Sequence, residues 1–455
     1  MKKLLLLFSL FIASFSHSQN KQVLYNFAEL PQTLLLNPGL ENNYKYHLGI
    51  PALSGISADV GISGFAVSDL FATDGINFND KVISVLEQLS YKDHLKINVQ
   101  AELFNAGFRW KTNNYISFGF YQELDAIGYF PTDILTLANQ GNTMFVNREF
   151  SVSQLRYKVD VLGVFHAGIT RKVSKQLTIG ARFKIYSSAL NLESTNNNGA
   201  FSTRVGTNNI YTHALSDINL DFRTSGLIEN NEYITDPRSY IKNSLLGGNL
   251  GVGLDVGFTY NVTPQLQVTG SILDVGFVNH TKNVKNSVIN GSFVFEGVPL
   301  EFDAINNEYW QTISDNFDTE LAVVDNFNPY ISWRPMKLNS SLKYSFGRQR
   351  GKNCYDITYK DFFTNAFGVQ LFSVFRPLTP QFAFTGFFEK SFSEKLHAKV
   401  TYTVDKFSGN NIGVGLSAQI WKINFYGMLD NLTELSDISS AKNLSLQFGF
   451  NLIFN

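Results

Sequence analysis

Cysteine, charge and long apolar runs are all scarce in this sequence. A single cysteine, Cys354, among 455 residues excludes an internal disulfide. Charged residues make up 16% of the chain, below the share of about 25% in ordinary soluble domains. The formal net charge of −1 offers no electrostatic basis for binding nucleic acid. After the N-terminal leader, no apolar run approaches the roughly 18 residues that a spanning helix needs, which excludes a helical membrane protein.

The first 18 residues have the pattern of a secretory signal peptide. Lys2 and Lys3 precede an apolar stretch that is too short for a finished membrane anchor, and Ser16 and Ser18 suit cleavage before Gln19. An uncleaved N-terminal anchor is the alternative. No cysteine follows the leader to accept a lipid. Export of a chain that forms no internal disulfide indicates a Gram-negative envelope.

Strict alternation of apolar and polar residues is the strongest signal in the rest of the chain. It holds throughout Leu396–Asp405, Asn411–Ile420 and Leu177–Tyr186. A soluble β-sandwich and a transmembrane β-barrel both produce this pattern. About ten residues at roughly 3.3 Å each, tilted near 45°, rise about 23 Å, which matches an apolar band of about 25 Å. We therefore predict an all-β fold, a single transmembrane antiparallel β-barrel of about 14 strands in the outer membrane.

Long polar stretches separate the predicted hairpins of this barrel, which occupies residues 56–455. The main ones are Ala126–Ser151, Asn191–Gly247 and Thr281–Lys337. The connections between the other alternating runs are short. Short periplasmic turns and long extracellular loops are the asymmetry expected of outer-membrane barrels.

Residues 19–55 do not alternate well and contain the turn-forming run Asn37, Pro38 and Gly39. Two interpretations stay open. The segment either plugs the lumen of the barrel or leads into the first strand from the periplasm.

Four charged residues fall on the polar faces of predicted strands. Arg182 and Lys184 alternate with apolar residues, Asp255 shares a face with neighbouring glycines, and Asp274 lies in the next strand. We expect all four to line the lumen, where the two carboxylates pair with the two bases or with water. The glycines on the face of Asp255 permit strand curvature or a close approach of the plug or of a ligand.

The chain ends in an alternating strand whose apolar face carries Phe450 and the penultimate Phe454. A closing strand with a terminal aromatic resembles the signal that barrel-assembly machinery favours. That machinery and the outer-membrane lipid are therefore expected partners. An ordinary C-terminal edge strand is the alternative, although so apolar an edge would invite aggregation.

Residues that catalyse reactions or bind metals are not clustered in the sequence. The seven His residues lack metal-binding spacing, and no nucleophile motif or phosphate-binding glycine loop occurs. We expect neither an enzyme nor a bound metal or cofactor.

Three groups of short motifs occur along the chain. They are Leu30, Pro31 and Gln32 with Asn37, Pro38 and Gly39; Gly253–Gly257 with Ser271–Phe277; and Asn410–Gly415 with Tyr426, Asp430 and Asn431. These motifs resemble those of a Bacteroidota outer-membrane β-barrel family of unknown function, in which Ala usually stands at the position of Gly39. The resemblance implies a distant relation to FadL-type fatty-acid channels, which also begin with an N-terminal plug, and to PorP/SprF-type barrels of type IX secretion.

We therefore expect a passive or gated channel for a small hydrophobic molecule. This function is favoured by the predicted barrel, by its plug-like segment and by the resemblance to the barrel family. The alternative is a non-transporting scaffold that docks a surface or secreted protein through its long loops.

Overall fold

The computed structural model of the protein describes residues 21–27, 30–206, 211–229, 232–296, 308–350, 361–407, 409–435 and 437–454. The predicted leader, residues 1–18, and Cys354 lie outside the described residues. The strands are β1 Tyr46–Gly49, β2 Gly55–Ile62, β3 His94–Trp110, β4 Asn114–Tyr129, β5 Glu149–Ser151, β6 Tyr157–Lys172, β7 Leu177–Ser194, β8 Asn198–Val205, β9 Tyr211–Ser225, β10 Ile228–Glu229, β11 Glu232–Tyr233, β12 Asn249–Asn261, β13 Leu266–His280, β14 Val284–Phe295, β15 Val323–Asn326, β16 Tyr330–Trp333, β17 Lys337–Arg350, β18 Asp361–Val374, β19 Gln381–Ser393, β20 Leu396–Val404, β21 Asn411–Ile420, β22 Ile423–Asp430 and β23 Asn443–Phe454.

Most of these strands form one closed antiparallel barrel of 14 strands, as predicted, and not a two-sheet sandwich. β1 and β2 together make its first strand, and β16 and β17 together make its eighth. Pairing continues in chain order through β3, β4, β6, β7, β12, β13, β16/β17 and β18 to β23. The barrel closes where β23 pairs antiparallel with β1 and β2.

Alternation gives the wall of the barrel an apolar outer face and a polar lumen. β12 shows this most simply, because Leu254 is 47% exposed on the outside whereas Asp255 is 0% exposed in the lumen. On β7, Phe183 likewise faces outward and is exposed, whereas Arg182 faces the lumen and is buried. The outer face is therefore a surface that water would not stabilise.

The two ends of the barrel differ in the length of their connections. At one end, here called the turn end, strands are joined by residues 111–113, 173–176, 262–265, 394–395 and 421–422. At the other, the loop end, the connections include residues 63–93, 130–156, 195–248, 281–329 and 431–442. The asymmetry is incomplete, since the short connections 375–380 and 405–410 also lie at the loop end.

The long loops add five strands at the loop end that continue the sheet of the barrel, and we call this extension the crown sheet. Its strands pair in the order β5, β8, β9, β14 and β15, and β9 also pairs with the end of β7. The crown sheet joins all three long stretches that the sequence left as loops. The helices are α1 Val67–Phe71, α2 Phe78–Gln88, α3 Thr132–Gln140, α4 Pro237–Lys242 and α5 Glu308–Glu320, with a π-helical turn at Asn243–Gly247.

None of the helices among the described residues is long and apolar enough to cross a bilayer.

Residues 21–27 and 30–44, here called the plug segment, lie inside the barrel and contact its lumenal wall. The segment contains one 3₁₀ helix, Pro31–Leu35, and most of its side chains are buried. It then leaves the lumen at the turn end and enters β1 at Tyr46. The range 19–55 therefore holds both the lumenal segment and the start of the first barrel strand.

Candidate functional site

The turn Asn37, Pro38 and Gly39 lies directly against the inner face of β7 and β12. The Asn37 Oδ1 accepts a hydrogen bond from the Gly39 amide at 2.8 Å, which closes the turn. A Cβ added at Gly180 would lie 1.9 Å from the Pro38 carbonyl oxygen, and one added at Gly257 would lie 2.1 Å from Asn37 Oδ1. The plug segment thus meets the wall at positions where only glycine leaves room. We call this the glycine contact.

Side chains of the wall hold the plug segment through its backbone near this point. Thr170, Arg182 and Ser271 donate to the carbonyl oxygens of residues 38, 34 and 36, at 2.6, 2.5 and 2.6 Å. Asn37 Nδ2 donates in turn to the carbonyl of Phe258 at 3.1 Å. Because these bonds satisfy backbone carbonyls that would otherwise be buried without partners, they stabilise the seated segment.

A second contact joins the plug segment to the seam where the first and last strands of the barrel meet. Gln32 Nε2 lies within hydrogen-bonding distance of the Ser54 carbonyl, Glu102 Oε2 and Asn451 Oδ1, at 2.9, 3.0 and 2.9 Å. Asn451 Nδ2 donates back to Gln32 Oε1 at 3.0 Å. We call this the seam contact. In the sequence, Gln32 is part of the motif Leu30, Pro31 and Gln32, which resembles a motif of the family named above. No pattern in the sequence indicates which residues Gln32 contacts.

Apolar side chains of the plug segment fill apolar patches of the otherwise polar lumen. Two buried clusters combine plug and wall residues, and Leu35 of the plug segment packs against a third cluster, made by the wall alone. The plug segment therefore covers apolar surface inside the barrel. The clusters are Val23, Leu24, Phe27 and Leu30 with Tyr426 and Met428; Leu34, Leu40 and Tyr44 with Tyr115 and Ile453; and Tyr121, Leu162, Val164, Tyr186 and Val278.

The four charged residues expected in the lumen lie together on the wall beyond the plug segment. Lys184 Nζ lies 2.8 Å from Asp255 Oδ2 and 2.6 Å from Asp274 Oδ1, and Arg182 Nη1 lies 3.5 Å from Asp255 Oδ2. Asp274 also pairs with Lys337 at 2.8 Å. A bulge makes this possible: Asp274 has φ 58° where the pairing of β12 and β13 shifts, and its amide donates to Asp255 Oδ1 at 2.7 Å.

Further ion pairs extend this group across the wall. Arg334 pairs with Glu123 at 2.6 Å and with Asp160 at 3.1 Å, and Arg376 pairs with Asp125 at 2.5 Å. With the residues above they form an ion cluster of five bases and five acids, contributed by the barrel strands and the connections between them and not by the plug segment. Glu123, Asp125 and Asp160 lie on the polar faces of their strands, a signal that was present in the sequence.

A small cavity of about 30 Å³ separates the plug segment from the ion cluster. Lys21 and Leu35 line it from the plug side, and Lys337 and Asp274 from the wall. A polar cavity of this size has room for a water molecule. Burial lowers the pKa of the Lys21 ammonium to about 8, because desolvation disfavours its charged form.

Phe450 and Phe454, the aromatic residues expected to signal assembly, face outward. Phe450 is 38% exposed, and the ring of Phe454 lies 4.9 Å from that of Tyr46 on β1, across the closing seam. The residues are placed for contact with lipid and with the first strand, and their part in assembly stays a prediction.

Fourteen antiparallel strands closed around an internal segment and a buried ion cluster define a plugged β-barrel with an apolar outer face. The chain belongs to the family of unknown function DUF5723, whose model matches residues 38–430.

Solved structures similar to this chain include two proteins of Pseudomonas. A FadL homologue of Pseudomonas aeruginosa is 8% identical, with a TM-score of 0.46 and coverage of 97% of each chain. The toluene transporter TodX of P. putida is 9% identical, with a TM-score of 0.39 and coverage of 97% of this chain and 96% of that one. These values are too low to assign a substrate to this chain. A search of curated protein sequences found no match.

Proposed function

We propose that the protein is a gated outer-membrane channel for a small hydrophobic molecule, closed by its plug segment. The observation that carries this proposal is the pair of apolar clusters shared by plug and wall. If the segment moves away, Tyr426 and Met428 in one cluster and Tyr115 and Ile453 in the other lose their apolar cover. A small apolar molecule is a suitable replacement, because it buries the same surface.

The outer face of the barrel supports the membrane location. Large apolar side chains such as Phe183, Leu254 and Leu416 point outward and are about half exposed. An aqueous surface rarely carries so continuous an apolar face, whereas lipid favours it. We place the turn end in the periplasm and the loop end outside the cell, as the lengths of the connections suggest.

The way in which the lumen is filled supports gating by movement of the plug segment alone. No member of the ion cluster belongs to the plug segment, so the ion pairs of the cluster remain when the segment leaves. The segment itself is held by apolar contacts and by hydrogen bonds worth about 1 kcal/mol net each, or about 1.5–3 kcal/mol from the charged donors Arg182 and Lys399. It also makes one partly exposed ion pair, between Glu41 and Lys172, worth at most about 1 kcal/mol. Its departure therefore requires no buried ion pair of the cluster to be separated, which would cost about 3–5 kcal/mol.

Dye entry into intact Gram-negative cells tests this proposal. A small apolar dye that fluoresces only in phospholipid is added to cells carrying the full chain or a variant that lacks residues 21–44. We expect dye to enter cells with the shortened variant faster than cells with the full chain. Cells with the full chain should in turn take up dye faster than cells without the protein. Equal dye entry in all three, with the barrel folded in each, would refute the channel.

A second candidate function, the docking of a surface or secreted protein, is favoured by the crown sheet. Two of the long loops supply four of its strands, and β15 at its edge carries the exposed Val323 and Val324. An exposed strand edge is a site at which another chain can add a strand. Affinity capture from intact cells, with the full chain and with Val323→Lys and Val324→Lys, tests this role. It predicts a partner that the doubly substituted chain no longer captures.

A further inference from the structure

A long groove crosses the outer, apolar face of the barrel. It has a volume of about 900 Å³ and extends from β6 to β19. Its lining is mostly apolar side chains that point away from the lumen, such as Ile179, Phe258 and Ile272. Backbone of Gly180 and Gly257, which meet the plug segment on the inner side, also lines the groove.

Strand register explains the shape of the groove. One row of paired outward residues leads from Ile169 on β6 to Phe382 on β19, and the adjacent row leads from Arg171 on β6 to Leu371 on β18. The rows contain the small residues Ala181, Gly270 and Ser340, which leave a depression between their larger neighbours. Across seven strands spaced about 4.8 Å apart, the groove is about 29 Å long.

The groove runs in a direction that suits a hydrocarbon chain entering it from the turn end of the barrel. Arg171 is the second-last residue of β6 and lies at the turn end, whereas Phe382 is the second residue of β19 and lies at the loop end. The groove therefore crosses the apolar band obliquely, and its length is comparable with the thickness of about 30 Å of a bilayer core. One extended hydrocarbon chain fits such a shape.

Arg171 marks the turn end of the groove with a positive charge. Its side chain is exposed, it belongs to the lining, and it makes no ion pair with any residue that the structure describes. A guanidinium at the edge of an apolar surface favours a negatively charged lipid headgroup at the same level.

We propose that this groove binds one anionic phospholipid of the surrounding membrane, with an acyl chain in the groove and the phosphate at Arg171. The proposal rests on the membrane location proposed above.

The test counts lipids that stay bound to the purified protein. Barrels are reconstituted in nanodiscs of equal parts phosphatidylglycerol and phosphatidylcholine, released into mild detergent, and weighed by native mass spectrometry. We expect one retained phosphatidylglycerol. Ala181→Phe fills the groove and should abolish retention, whereas Ala418→Phe, at another outward and half-buried alanine, should leave it intact.

A second pair of variants tests the headgroup. Arg171→Gln should lower the preference for phosphatidylglycerol over phosphatidylcholine about fivefold, the effect expected of one basic residue at a membrane surface. Lys175→Gln, in the exposed turn that follows β6, should not. Loss of preference in both variants, or in neither, would overturn the assignment to Arg171.

Three outcomes would overturn the lipid site itself. They are equal retention in Ala181→Phe and Ala418→Phe, no retained lipid in the unsubstituted protein, and displacement of the lipid by added dodecane, which would make the groove a hydrocarbon site. Heat-modifiable gel mobility of the same samples reports whether the membrane barrel is intact. It thereby separates a failed lipid site from a failed membrane location.

Discussion

The plug segment and the ion cluster both fill the lumen, but the protein holds them in different ways. The ion cluster is built from residues of the barrel strands and their connections, whose charges pair at distances such as 2.6 Å between Lys184 and Asp274. The plug segment is held mainly by hydrogen bonds, from wall side chains such as Arg182 and Lys399 to its backbone and from its own Gln32 at the seam contact. Its one ion pair with the wall among the described residues, Glu41 with Lys172, is partly exposed. We therefore expect that loss of a charge from the cluster destabilises the barrel, and the gating proposed above moves only the plug segment.

The largest effect on stability is expected for Asp274→Asn in the ion cluster. Its carboxylate pairs with both Lys184 and Lys337, so the substitution leaves two buried ammonium groups short of a partner. We expect the free energy of unfolding to fall by about 3–5 kcal/mol. Urea unfolding in detergent micelles measures the change. The matched control is Asp325→Asn, whose exposed pair with Lys285 is worth at most about 1 kcal/mol. Equal losses in the two variants would contradict the role given to the cluster.

An intermediate effect on stability, with a large effect on transport, is expected for Gly180→Leu. The new side chain would collide with the Pro38 carbonyl and displace the plug turn. We expect dye entry to rise severalfold, while the free energy of unfolding falls by about 1–3 kcal/mol, as for other overpacked sites. Gly427→Leu is the control, because a Cβ there meets no atom within 4 Å. If both variants admit dye at the rate of the unsubstituted protein, the glycine contact does not restrain the plug segment.

The smallest effect is expected at the seam contact. Gln32→Ala removes the amide that bridges Glu102 and Asn451 and leaves their buried oxygens with fewer partners. We expect a loss of about 1–2 kcal/mol in unfolding free energy, with faster proteolysis of the plug segment. Gln176→Ala, in an exposed turn, serves as the control. A loss as large as that of Asp274→Asn would mean that the seam, too, is essential to the barrel.

Alternation was sufficient to predict the barrel and the lumenal faces of its strands. In Leu177–Tyr186, each apolar residue faces outward and each intervening position faces the lumen, as the period of two requires. Ten-residue runs of this kind, repeated along the chain, specify both the strand class and the need for a polar interior. The count of 14 strands followed from the same pattern.

The other features of the fold and of the site depend on pairing between strands that are distant in the sequence. A local sequence pattern does not predict such pairing. Arg334 and Lys337 flank the break between β16 and β17, where alternation is interrupted, so their lumenal position was not visible in the sequence. The crown sheet joins strands that are far apart in the chain. The outer groove arises from the register of seven strands, and no single strand contains it.

A reversible crosslink between plug and wall tests the central claim most directly. In a Cys354→Ser background, Asn37→Cys and Gly257→Cys place two thiols at the glycine contact. The Cγ of Asn37, which marks the place of the sulfur in Asn37→Cys, lies 3.0 Å from the position of a Cβ at Gly257. An S–S bond of about 2.04 Å sets a sulfur at about this distance from the Cβ of its partner. The measurement is dye entry into intact cells before and after reduction. The gated-channel account predicts that oxidation stops dye entry and that reduction restores it, whereas identical entry in both states would contradict it.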